Sequence, residues 1–84
     1  MQIQYTKQAI KALSRMQPGK AHAIQAKIRQ IASGNTAGLN IIPMQGMEGI
    51  FRLRAGDYRM IYEIKKDALV LIVIRVGTRG DVYK

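Results

Sequence analysis

The chain opens with a two-residue period in which Ile3 and Tyr5 alternate with Gln2 and Gln4, predicting a short strand with one buried face. Thr6 reads as a helix N-cap, and Ile10, Leu13 and Met16 recur at helical spacing. Pro18-Gly19 separates this helix from a second, whose apolar stripe is Ala21, Ile24, Ile28 and Ile31, with Lys20, Lys27 and Arg29 outside it. Gly34, after Ser33, is placed to close that helix in the left-handed conformation. From Asn35 to Gly49, Gly38, Pro43, Gly46 and Gly49 break every period, so this stretch reads as a connector. Three strands follow, near Ile50 to Arg54, Tyr58 to Lys65 and Leu69 to Val76, with turns at Gly56-Asp57 and Lys66-Asp67 and a looped tail from Gly77. The expected fold is α+β in the order β-α-α-β-β-β: two N-terminal helices packed on a small, mostly antiparallel four-stranded sheet, in one domain spanning residues 1–84. The third of these strands is apolar on both faces from Leu69 to Ile74, which places it centrally.

Alternation also sorts the hairpin by chemistry. Phe51 and Leu53 point one way, and Ile50, Arg52 and Arg54 the other. A turn at Gly56-Asp57 sets Phe51 opposite Tyr62, Leu53 opposite Met60 and Arg54 opposite Arg59. Tyr58 and Tyr62 share the parity of Met60 and read as core. Like charges directly opposed on neighbouring strands are unfavourable, so the cluster of Arg52, Arg54 and Arg59 points to an anionic ligand, read here as phosphate. Arg75 and Arg79 leave the last strand near the same turn. A two-residue turn at Lys66-Asp67 gives Arg75 the opposite parity, which makes Arg79 the better candidate.

Charge strengthens this picture. Fourteen Lys and Arg against five Asp and Glu give a net charge of +9, and no acidic residue precedes Glu48. A polyanion or an acidic protein is the expected partner. A chain of 84 residues has roughly 4–13 kcal/mol of stability, so little margin exists for charge repulsion. There is no cysteine, and His22, on the surface of the second helix, is the single histidine. Disulfide frameworks, thiolate or histidine metal clusters and two-histidine ribonuclease sites are therefore excluded, and no metal or other cofactor is expected. Phosphate-binding loops, dinucleotide fingerprints and nucleophile elbows are absent too. No apolar run approaches a membrane span and no secretory signal is apparent, so a soluble cytoplasmic protein is expected.

The run Phe51-Arg52-Leu53-Arg54-Ala55-Gly56-Asp57-Tyr58-Arg59-Met60-Ile61-Tyr62-Glu63-Ile64, followed by Ile74-Arg75-Val76-Gly77-Thr78-Arg79-Gly80-Asp81-Val82-Tyr83, resembles the RelE branch of the RelE/ParE toxins of bacterial and archaeal toxin-antitoxin systems. The resemblance implies a ribosome-dependent endoribonuclease that cuts mRNA in the decoding site. An acidic antitoxin wraps around such a toxin, and the complex assembles further on operator DNA. By position, the family's basic pair falls on Arg52 and Arg54, its arginine after the turn on Arg59, its loop arginine on Arg79 and its terminal tyrosine on Tyr83. Some relatives carry lysine where this chain has Arg52 and Arg54, and relatives often carry histidine where it has Thr78. The loop between Arg79 and Tyr83 is also shorter than in the best-known member. A ParE-like inhibitor of DNA gyrase without nuclease activity is the alternative within the superfamily. A basic nucleic-acid-binding module without catalysis is a third reading.

Overall fold

In the computed structural model, which describes residues 1–78, the elements run β1 (Gln2–Tyr5), α1 (Lys7–Arg15), α2 (Pro18–Ala32), β2 (Asn40–Pro43), β3 (Ile50–Ala55), β4 (Tyr58–Lys65) and β5 (Val70–Thr78). The strands form one sheet in the order β1-β5-β4-β3-β2. β1 pairs with β5 in parallel, and the remaining pairs are antiparallel. The expected α+β architecture is present, with five strands rather than four. The additional strand, β2, lies within the stretch read as a connector. Its four residues are flanked by glycines and end at Pro43, which an edge strand tolerates because one side of it needs no ladder partner.

The helix ends follow from local chemistry. Thr6 Oγ1 accepts from the Ala9 amide at 3.2 Å, capping α1. At the far end of α2, Gly34 takes φ +89°, its amide donates to the Ile31 carbonyl at 2.9 Å, and the Asn35 amide donates to the Gln30 carbonyl at 3.1 Å. That pair of bonds is a Schellman closure, which a side chain at Gly34 would strain.

Both helices cover one face of the sheet. Ala21, Ile24, Ile28 and Ile31 are all buried, as their spacing predicts, and meet Leu53, Met60, Tyr62, Leu71, Val73 and Val76 from the strands. The stripe of α1 is rotated from the expected one. Ala9 and Leu13 are buried and Ile10 is 56% exposed, because the close approach of α1 to β5 admits the small Ala9 side chain at the contact. Leu69 also departs from expectation. It has φ +54° and ends a four-residue loop, Lys66 to Leu69, before β5 begins at Val70. β5 then continues to Thr78, beyond the Gly77 start expected for the tail.

β5 contains a β-bulge. Tyr62 lies opposite Val73 but Ile61 lies opposite Arg75, so Ile74 is an extra residue in the ladder. The bulge lets Val73 and Val76 both face the core, at 0% and 1% exposure, although three positions separate them. β1 has ended by this point, and α1 satisfies the edge of β5. The Thr6 amide donates to the Val73 carbonyl and the Thr6 hydroxyl to the Ile74 carbonyl. The Gln8 side chain both accepts from the Val76 amide (3.2 Å) and donates to the Val76 carbonyl (3.3 Å). A buried backbone polar group without a partner costs about 1–3 kcal/mol, so these bonds fix where the bulge falls.

Tyr62 stacks on Phe51 with ring centroids 5.5 Å apart, and burial pushes its phenol pKa up to about 12. A phenol that ionises less readily in the folded state favours folding below pH 10 and loses that contribution as pH rises from 10 towards 12. We expect urea midpoints measured at pH 9 and pH 11.5 to fall further for the wild type than for Tyr62→Phe.

Candidate phosphate-binding face

The face of the sheet opposite the helices carries the arginines, for a reason that starts with the core. Phe51 pairs with Tyr62 and Leu53 with Met60, and this register, as read from the sequence, sets Arg52 opposite Ile61 and Arg54 opposite Arg59. β3 and β4 are joined by the two-residue loop Gly56-Asp57, in which Gly56 takes φ +62°, the conformation required at the first position of a tight hairpin loop. Such a short loop leaves the pairing no slack.

Two rows of side chains cross this face. The first runs Asn40, Arg54, Arg59 and Gly77 over β2, β3, β4 and β5, and the second runs Ile42, Arg52, Ile61 and Arg75 over the same strands. Arg52, Arg59 and Arg75 are half-buried and Arg54 is exposed. Sequence reasoning missed Arg75. Regular pairing through the Lys66 to Leu69 loop would leave it on the core face, and the bulge at Ile74 moves it onto the arginine face. The signal that could have found it is the apolar run itself: Val73 and Val76 cannot both be core residues on a regular strand. Arg79 and Tyr83, the other expected site residues, lie outside the described residues.

Glu63 is the one carboxylate among the described residues of this face, opposite Ile50 and Ile72 and diagonal to Arg52 and Arg75. Four guanidinium groups thus share the face with one carboxylate among the described residues. Among the described residues, no three of His, Asp and Glu gather as a metal site would require. The face can bind anions by charge and by forked, bidentate donation, geometry that suits phosphodiester oxygens. On the opposite face, Lys20 from α2 lies 5.1 Å above the half-buried Tyr58 ring and 3.9 Å from Asp57, placing helical charge beside the hairpin turn. His22 is exposed, as expected of a helix-surface residue. No helix among the described residues is long and apolar enough to cross a membrane.

A small basic α+β domain with an arginine-rich sheet face is the class these features define. The family model of the ParE toxin of type II toxin-antitoxin systems, parDE, matches residues 3–83, so the chain belongs to that family, within the RelE/ParE superfamily, and is a toxin of a type II toxin-antitoxin system. No curated protein sequence matches it. Among solved structures it is similar to the RelB-RelE antitoxin-toxin complex of Methanococcus jannaschii, at 23% identity with TM-score 0.78 over 95% of this chain and 94% of that one. It is likewise similar to the archaeal RelE-RelB complex of Pyrococcus horikoshii (24% identity, TM-score 0.77, 95% and 96% covered) and to the isolated E. coli RelE toxin (20%, 0.78, 98% and 89%). At these identities the likeness establishes the shared fold.

If Arg54 and Arg59 repel across the hairpin, neutralising one should stabilise the fold. We expect Arg54→Gln to raise stability by about 0.2–1 kcal/mol in urea unfolding at low salt, with the gain shrinking at high salt as screening replaces the substitution.

Proposed function

We propose that this toxin is a ribosome-dependent mRNA endoribonuclease held inactive in the cytoplasm by an acidic antitoxin. The observation that carries this reading is the sheet face shared by Arg52, Arg54, Arg59 and Arg75, with Arg54 and Arg59 directly opposed across the hairpin. The resemblance of the Phe51 to Ile64 and Ile74 to Tyr83 runs to RelE toxins supports the same reading. In the proposed reaction the ribose 2′-oxygen attacks the adjacent phosphorus as the bond to the 5′-oxygen breaks. The 2′-hydroxyl loses its proton and the departing 5′-oxygen gains one, giving a 2′,3′-cyclic phosphate and a 5′-hydroxyl. Arg59 and Arg79 hold the scissile phosphate and stabilise charge developing on its oxygens. Arg52 and Arg54 hold flanking charge, and Tyr83 stacks on a base or handles a proton. With no histidine near these groups, catalysis depends on alignment, which the ribosome supplies by presenting the message in a fixed path.

The antitoxin would supply carboxylates to this face and apolar anchors elsewhere. A groove of about 440 Å³ beside α2, lined by Ile31, Leu39, Ile41, Pro43, Phe51 and Ile64, suits such anchors. The related complexes from Methanococcus jannaschii and Pyrococcus horikoshii pair a RelE with a RelB, which favours a partner of this kind.

The name of the matching family favours a second reading, inhibition of DNA gyrase without RNA cleavage. Purified ribosomes programmed with a defined message, assayed alongside gyrase supercoiling, separate the two. We expect message cleavage by the wild type, no effect on supercoiling, and a loss of roughly 30- to 1,000-fold in cleavage rate for each of Arg59→Ala and Arg79→Ala, as for strong transition-state donors. Wild-type rates in either variant would remove that arginine from the site, and inhibited supercoiling with intact message would establish the gyrase reading.

A further inference from the structure

The arginine face holds two cationic rows, where a single scissile phosphate needs one. Arg54 and Arg59 are neighbours across one strand pair, whereas Arg52 and Arg75 stand on β3 and β5 with Ile61 of β4 between them. Their backbones are thus separated by two strand spacings, about 10 Å, and the two rows lie about 7 Å apart along the strands, a distance that one sugar-phosphate repeat spans. Ile61 is half-buried and presents an apolar floor between the two guanidinium groups. An apolar residue between cations suits a nucleotide, whose base needs a dry platform while its phosphates need charge. Arg75 reaches this row only because the ladder is bulged at Ile74, and the bulge is tied down by Thr6 and Gln8. Bulges are enriched where a side chain has to be re-aimed next to a functional site.

We propose that Arg52 and Arg75, on either side of Ile61, form a second phosphodiester subsite next to the Arg54-Arg59 pair, so that the face holds two successive linkages of one RNA strand with a base lying over Ile61. This rests on the reading of the toxin as acting on RNA. Arg75 is a positioning residue in this scheme: it fixes the path of the strand and touches no reacting atom. Glu63 lies diagonal to both Arg52 and Arg75 in the ladder.

The test measures binding without cleavage, using fluorescein-labelled 2′-O-methyl oligonucleotides of two and three residues, which carry one and two linkages and lack the attacking hydroxyl. For the wild type, adding the second linkage should tighten binding about tenfold, as one added charged contact does. In Arg75→Ala that gain should vanish, and the slope of log affinity for the longer probe against log salt should shrink by about 0.7, one phosphate's share on a single strand. Arg75→Lys should keep the slope, and Arg29→Ala, on the exposed side of α2, should behave as wild type. Equal weakening towards both probes in Arg75→Ala would assign Arg75 a structural role and overturn the proposal. So would a wild type with no gain from the second linkage. Failure of the nuclease reading is distinguishable, because programmed ribosomes would then keep their message intact while the length-dependent binding persisted.

Discussion

Everything on the functional face follows from what the opposite face must bury. Phe51, Leu53, Met60 and Tyr62 have to lie beneath the helices, since a chain of this size has one core and no disulfide to replace it. Fully burying one such side chain is worth about 1.5–3 kcal/mol, and slipping β3 by one residue against β4 would turn Phe51 and Leu53 away from the helices while burying Arg52 and Arg54. Repulsion between Arg54 and Arg59 is smaller by several-fold, so the core decides the register and the arginines accept their crowding. The same hierarchy operates in β5. Burial of both Val73 and Val76 outweighs the lost ladder regularity at Ile74, and α1 supplies the hydrogen bonds that the bulge and the end of β1 leave open.

How legible these features were depends on whether their cause is local. The hairpin register could be read residue by residue because alternation and a two-residue loop act over a dozen positions. The helix closures at Thr6 and Gly34 were legible for the same reason, each depending on a single side chain or the lack of one. β2 was not, since four residues between glycines carry no period and the strand exists through pairing with β3. Ile10 was misplaced because spacing alone cannot distinguish it from Ala9, and the closeness of β5 decides in favour of the smaller residue. Arg75 was misplaced for a cause further away still: its orientation depends on Thr6 and Gln8, some 70 positions earlier in the chain.

The outcome is a protein whose stability and site pull in opposite directions. A net charge of +9 with acids only from Glu48 onward means that compensating charge comes from outside the chain. Under the proposed function, target and neutralising partner would answer the same shortage of carboxylates, and competition between them would follow from the composition. Membership of a type II toxin-antitoxin family agrees with that arrangement.

The central claim is that guanidinium groups from three strands, on the face away from the helices, receive the phosphates of a single RNA strand. Arginine Nε-Hε resonances followed by NMR during titration with a non-cleavable 2′-O-methyl trinucleotide test it most directly. The account predicts that Arg52, Arg54, Arg59 and Arg75 shift together and saturate at one ligand per protein, while Arg15 and Arg29 on the helices stay still. Shifts confined to the helix arginines, or no shifts at all, would contradict it.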